Sequence, residues 1–162
     1  MAKIRWQDID QAAIGCRYLQ RGEEDKLTQI QNRSFAGYWG YNPNTVETIT
    51  YRLNLSNHSL EDVVLACDGD KVIGYCWTEV IYERETISES RGRIFMLGVD
   101  PDYRGKGVGR TVLLAGLARL KSKGLWVAEL TVDSENKAAC ALYHSLGFEV
   151  WKSSTWYEKV IN

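Results

Sequence analysis

Apolar positions along the chain switch between a period of two and a period near four, and the switches mark out the elements. Cys16 to Gln20 alternates weakly and predicts a first strand. Gly22-Glu23-Glu24-Asp25 then puts carboxylates in the first turn of a helix through Leu27, Ile30, Gln31, Ser34 and Phe35, which Gly37 ends. Asn44 or Thr45 can cap a second helix carrying Val46, Ile49, Leu53 and Leu55. Val63 to Cys67 and Val72 to Tyr82 are apolar β-rich runs around a two-residue Gly69-Asp70 turn, which predicts a hairpin. A polar loop over 83–92 precedes a strand over 93–99. Helical spacing returns at Val108, Val112, Leu113, Leu114, Leu117 and Leu120 and stops at Gly124. Trp126, Ala128, Leu130 and Val132 alternate as a strand, and Ser134-Glu135-Asn136 opens a helix through Ala138, Ala139, Leu142, Tyr143 and Leu146, closed by Gly147. Two final strands are expected, over 148–151 and 155–160. Strands interleaved with helices predict an α/β fold.

Composition narrows the class. With 162 residues, one domain with a proper core and one active site is expected, over 16–162, and residues 1–15 form an extension whose pattern declares no role. No run of 18 apolar residues occurs, which leaves no membrane span, and the start lacks a signal-peptide core, so a cytoplasmic protein is expected. A formal charge of −1 gives no global attraction to nucleic acid or to an acidic membrane, so any basic patch must be local. Four cysteines without C-x-x-C spacing and two histidines predict no metal site.

The local patch stands out at residues 99–110. The run Ile94-Phe95-Met96-Leu97-Gly98-Val99 feeds into Asp100-Pro101, and Gly105, Gly107 and Gly109 then open a helical stripe among Arg104, Lys106 and Arg110. Glycines let successive N–H groups converge, and a helix N-terminus adds positive dipole and unpaired donors, so this is an anion cradle. A Walker loop fails because Gly107 and Val108 follow Lys106. A dinucleotide fingerprint fails because Arg110 stands where its third glycine belongs. The spacing Arg104-x-x-Gly107-x-Gly109 resembles the pyrophosphate loop of the GNAT acetyltransferases, against the plainer reading of a glycine-rich turn. A second stretch, Asn136 through Ala141-Leu142-Tyr143 to Leu146-Gly147-Phe148, is similar to the second motif of that superfamily and follows in the right order.

This resemblance, which runs from residue 16 onward, implies a single GNAT acyl-CoA transferase fold. Its mixed twisted sheet would have six or seven strands flanked by helices and would splay between the central parallel strands. It implies acetyl transfer from acetyl-CoA to a primary amine, either a small molecule or a peptide N-terminus, by direct attack through a tetrahedral intermediate. Within the superfamily, Gly74 to Val80, Leu97 to Pro101 and Val132 to Phe148 look most like the C-terminal domain of mycothiol synthases. Those enzymes carry two such domains, and their Gly-Glu becomes Gly92-Arg93 here, which removes the carboxylate proposed as their base. Ribosomal-protein alanine acetyltransferases are a second relative by motif, and their glutamate is replaced by Thr131.

The resemblance also assigns roles. Pyrophosphate would sit on Gly105, Lys106, Gly107, Val108 and Gly109, with Arg104 or Arg110 at the phosphates and Asn136 and Tyr143 as further coenzyme contacts. The pantetheine arm would bond to Leu97 and Val99. A bulge at Gly98, or a close approach there, would free the Val99 N–H as oxyanion donor. Tyr143 would protonate the leaving thiolate, with a packed helix aromatic as the alternative. Glu79, or Glu129 through water, would stand in as base unless the acceptor is a weakly basic amine; Glu79 is equally a solvated strand residue. The loop carrying Phe35, Tyr38, Trp39 and Tyr41, with Trp77, either lines an acceptor pocket or packs the helix pair onto the sheet. A coenzyme A-binding regulatory module without turnover is the alternative function, and a homodimer the candidate assembly.

Overall fold

A computed structural model describes residues 16–55, 57–82 and 90–161. The N-terminal extension 1–15 and most of the polar loop before the fourth strand lie outside the described residues. In chain order the elements are β1 (Cys16–Tyr18), α1 (Glu24–Phe35), α2 (Val46–Leu53), β2 (Val63–Asp68), β3 (Lys71–Ile81), β4 (Arg91–Val99), α3 (Val108–Ser122), β5 (Ala128–Glu129) and α4 (Lys137–Ser145). Short 3₁₀ turns at Leu60–Asp62 and Pro101–Tyr103 introduce β2 and follow β4. The chain divides into two compact units, one ending at Thr131 and one taking up Val132 onward.

The first unit holds one open mixed sheet in the order β1-β2-β3-β4-β5. Neighbours from β1 to β4 are antiparallel, and β5 is parallel to β4. The hairpin forms as its turn residues require, with Asp68 paired to Lys71 around Gly69-Asp70. The described residues form five strands rather than six or seven because no strand forms over 148–151 or 155–160, and β5, though present, spans only two residues. Alternation supplies strand propensity, but only a ladder partner makes a strand.

Both faces of the sheet are covered. On one, Leu27 and Ile30 of α1 and Ile49 and Leu53 of α2 close over Val63, Leu65, Tyr75 and Trp77. On the other, α3 presses so near that a Cβ at Gly116 would run into Cys76 Sγ, and Val112, Leu113 and Leu117 are buried there. Alternate β3 residues therefore serve opposite layers, which is why the strand reads as a nearly unbroken apolar run. Asp62, itself buried, ties the 3₁₀ turn to α3 by accepting from Arg119 Nε at 3.1 Å and pairing with Lys123.

In the second unit α4 starts as its sequence predicts. The Asn136 side chain accepts the Ala139 N–H at 3.2 Å, and Gly147, with φ +87°, turns the chain so that the Phe148 N–H reaches the Tyr143 carbonyl at 3.0 Å.

Candidate active site

The cradle forms where the glycines place it. Gly105 and Gly107 take φ of +75° and +84°, a region side chains disfavour, and Gly107 caps α3 without a side-chain acceptor. No N–H from Gly105 to Arg110 donates to a protein acceptor among the described residues. The amides of Gly107 to Arg110 thus form an unclaimed fan at the positive end of a 15-residue helix.

The cations around it divide in role. Arg104 Nη2 donates to the Ser34 carbonyl at 2.7 Å, so this guanidinium fastens the loop to the end of α1. Lys106 stands 5.2 Å from the centre of the Tyr103 ring, and the Tyr103 hydroxyl donates to Asp68 at 2.8 Å. Arg110 is exposed and has no acidic partner among the described residues. Behind the loop, Arg33 Nε donates to the buried Asp100 and its Nη2 to Asp102, both at 2.7 Å. Asp100 also accepts the Asp102 N–H at 2.9 Å, and the Arg33 guanidinium beside it holds its carboxyl below the usual aspartate value. Sequence reading missed this clamp, because its partners lie 67 and 69 residues apart and no local pattern joins them.

The open edge of β4 continues the cradle. Pairing with β5 is limited to Gly92 with Ala128 and Arg93 with Glu129, so the strands part beyond Arg93. The bulge is at Phe95, not at Gly98: the register passes from Trp77↔Met96 to Thr78↔Ile94 and leaves Phe95 as the extra residue. Gly98 is instead required by close approach, since a Cβ there would come within 2.6 Å of Ser34 Cβ on α1. The bulge has a consequence for direction. Asp100 donates to the Ile73 carbonyl at 2.8 Å, which makes that pair and, by alternation, Tyr75/Gly98 the hydrogen-bonded ones. Leu97 and Val99 therefore turn their N–H and C=O groups away from β3, toward the parted edge. On the near side of the bulge Gly92 faces the same edge and donates to the Val127 carbonyl at 2.8 Å.

Carboxylates expected near this edge are ion-paired. Glu79 Oε1 accepts from Arg93 Nη1 at 2.9 Å, while Glu129 lies 3.7 Å from Arg93 and 3.6 Å from Arg91. Arg93 thus bridges β3 and β5 across β4. The aromatic loop follows α1: Phe35 packs against Tyr38 and Tyr41 at ring separations of 5.7 and 5.4 Å, and the Tyr41 hydroxyl donates to Asn32 at 2.6 Å. Trp39 is 76% exposed, whereas Trp77 is fully buried, edge-on to Phe95 at 5.4 Å. Trp77 consequently supports the floor and cannot itself touch a solute. In the other unit, Tyr143 sits on α4 with its ring 5.9 Å from Phe148, and Asn136 spends its side-chain oxygen on the helix cap. Among the described residues no group of three or more His, Cys, Asp or Glu is placed to hold a metal ion, and no helix is long and apolar enough to cross a membrane.

Comparison with known proteins adds independent findings. The profile of the Acetyltransferase (GNAT) family matches residues 24–148. The chain is 34% identical over 143 residues to a mycothiol acetyltransferase of Thermobifida fusca, covering 85% of this chain and 44% of that protein. It is also 34% identical over 137 residues to the mycothiol acetyltransferase of Thermobispora bispora, with 85% and 46% covered. The chain thus spans less than half the length of these relatives. Among solved structures, the ribosomal-protein-S18-alanine N-acetyltransferase of Escherichia coli superposes with a TM-score of 0.63 at 26% identity, over 83% of this chain and 76% of that one. An aminoglycoside acetyltransferase from an uncultured soil metagenomic sample shares the fold, with a TM-score of 0.70 at 18% identity over 91% of this chain and 95% of that one.

Proposed function

We propose, from the premise that this chain belongs to the acetyltransferase (GNAT) family, that it transfers the acetyl group of acetyl-CoA to a primary amine. One observation carries the reading: the unclaimed amide fan of Gly107 to Arg110 opens directly beyond the strand whose Leu97 and Val99 amides face a parted edge. A diphosphate needs the first and an extended pantetheine amide chain needs the second, so the two together suit an acyl-coenzyme A. Residues 16–162 act as one transferase domain in this reading, since the family match runs through both compact units. The protein works in the cytoplasm, without a metal.

The amides of residues 105–110 bind the diphosphate, with Arg110 as the exposed cation beside it and Arg104 holding the loop to α1. The backbone of Leu97 and Val99 takes the place of a missing strand partner for the pantetheine arm. With its N–H turned to the open edge, Val99 donates to the thioester oxygen as the carbonyl becomes tetrahedral, a stabilisation of about 3 kcal/mol for one such donor. The amine attacks, the intermediate collapses and Tyr143 protonates the departing thiolate. Ordinary phenol and thiol values make that transfer uphill by about 2 kcal/mol, which the coenzyme site must offset. Asn136 caps the helix that carries Tyr143.

The acceptor must then supply a neutral amine. At pH 7 a lysine-like amine costs about 4.6 kcal/mol to deprotonate and an α-amine only about 1.4. Glu79 and Glu129 are both engaged by Arg93, so a strong base is not standing ready. This favours a weakly basic acceptor, an aminosugar-type or peptide N-terminal amine, with Glu79 relaying its proton through water. Trp39 and Tyr41 offer that acceptor an aromatic wall, with Phe35 behind them. Calorimetric titration with acetyl-CoA, ATP and NAD, followed by thiol release with a panel of amines, tests the proposal. Binding of acetyl-CoA with amine-dependent thiol release is expected; tight ATP binding without a response to acetyl-CoA refutes it.

A further inference from the structure

The amides of the cradle are not all held in place by the same means. Those of Val108 to Arg110 belong to α3, which its buried Val112, Leu113 and Leu117 anchor to the sheet. Those of Gly105 and Lys106 lie outside any helix or strand and donate to no protein acceptor among the described residues. Gly105, at φ +75°, has no side chain to restrict its turn, so the direction of these two amides comes from whatever braces the loop just upstream.

Asp100 is the centre of that bracing, and both of its buried carboxylate oxygens are in use. Oδ2 accepts from Arg33 Nε at 2.7 Å and lies 3.6 Å from Lys71 Nζ. Oδ1 accepts the Asp102 N–H at 2.9 Å and so caps the 3₁₀ turn Pro101–Tyr103. Arg33 extends a second arm, Nη2, to Asp102 at 2.7 Å, three residues before Gly105. The two arms differ in worth. Asp102 is 69% exposed and water competes for its contact, whereas the charge of Asp100 is buried and is offset by Arg33 and Lys71. Arg104 adds a further tie to the same turn of α1 through the Ser34 carbonyl.

We propose that Arg33 is a positioning residue for the coenzyme: by holding Asp100 and Asp102 against the end of α1, it aims the Gly105 and Lys106 amides at the diphosphate. The proposal rests on the acetyltransferase reading and deepens it, because it says which part of acetyl-CoA feels the clamp. Only the diphosphate half does. The pantetheine arm follows Leu97 and Val99, whose N–H and C=O directions are set by the ladder with β3 and not by Arg33.

The test compares acetyl-CoA with S-acetylpantetheine, which has the same thioester and pantetheine arm and lacks the diphosphate and nucleotide. Thiol release is followed with the full chain and with its variants, using an amine the unaltered protein accepts. The unaltered protein should prefer acetyl-CoA in kcat/KM. Arg33→Gln should lower kcat/KM for acetyl-CoA about tenfold, chiefly through KM, as for loss of a charge-assisted contact. It should move the value for S-acetylpantetheine by less than about twofold. Arg33→Lys, which keeps a cation at Asp100 and gives up the exposed arm, should recover most of the loss. Asp100→Asn should match Arg33→Gln, and the double variant should add less than about twofold, because both changes remove one contact. A parallel fall for the two thioesters marks a general loss of structure and overturns the proposal. A preference that survives Arg33→Gln overturns it too, and if that variant does not fold, a preference that survives Asp100→Asn does the same. Each of these results leaves the acetyltransferase reading standing. No thiol release with any amine, or no preference for acetyl-CoA in the unaltered protein, overturns the reading or its cradle, and this proposal with it.

Discussion

Gly107 caps α3 and sets the direction of the amides at its mouth, where the proposed anion would sit. Its φ of +84° aims the first amides of α3, and a side chain there would both strain the turn and, if acidic, oppose the helix dipole. Gly107→Glu is expected to weaken acetyl-CoA binding by about tenfold or more, a loss of roughly 1.4 kcal/mol read by calorimetric titration; unchanged affinity would remove the cradle. Tyr143 is the proposed proton donor to the leaving thiolate. Tyr143→Phe should lower kcat by about a hundredfold while the coenzyme affinity holds, as for loss of a general acid. A rate that does not move would mean that the thiolate takes its proton elsewhere. The glycine spacing and the Ala-Leu-Tyr then Leu-Gly-Phe pattern that nominate these two residues are local, so the chain alone could single them out. Arg104 was legible as a loop residue, but its partner is the Ser34 carbonyl of another element, which no spacing could announce.

Among the elements, α1 organises the site more than its own sequence suggests. Its last turn presents Arg33 to Asp100 and Asp102, the Ser34 carbonyl to Arg104 and Asn32 to Tyr41, and lays Ser34 against Gly98. One turn of helix therefore joins the end of β4, the cradle and the aromatic loop. Gly98→Ala tests that contact: the added methyl meets Ser34 at overpacked distance and should cost about 1–3 kcal/mol of stability. A thermal melt superposing on that of the unaltered protein would show that α1 does not press on β4. The β4 bulge has no glycine or proline at Phe95 to announce it. It arises from the fit of β3 to β4, and by shifting the alternation it turns Leu97 and Val99, rather than Met96 and Gly98, toward the parted edge.

For the whole molecule, acid exposes how charge is wired into the fold. Arg17 donates to Glu23 and holds its carboxyl down at about 2, against 4.5 for a free glutamate, and Arg33 holds Asp100 below its ordinary 3.8. Carboxyls lowered in the folded state add stability that is complete above their unfolded values and is lost as pH falls through the folded ones. Melting temperatures should therefore hold from pH 7 to about 5 and drop most steeply between about 4.5 and 2. Glu23→Gln should flatten part of that drop, and a profile unchanged by this substitution would sever the link. By itself the chain determined the α/β alternation, the hairpin, the caps of α2 and α4, and the glycine mouth of α3, because each follows from residues within one or two turns of each other. Only the tertiary structure decided that β5 pairs over two residues, that Phe95 carries the bulge, that Trp77 is a floor, and that Glu79 and Glu129 share Arg93. Those outcomes depend on which strands and helices meet across long stretches of chain, and hydrophobic period carries no record of a partner's register.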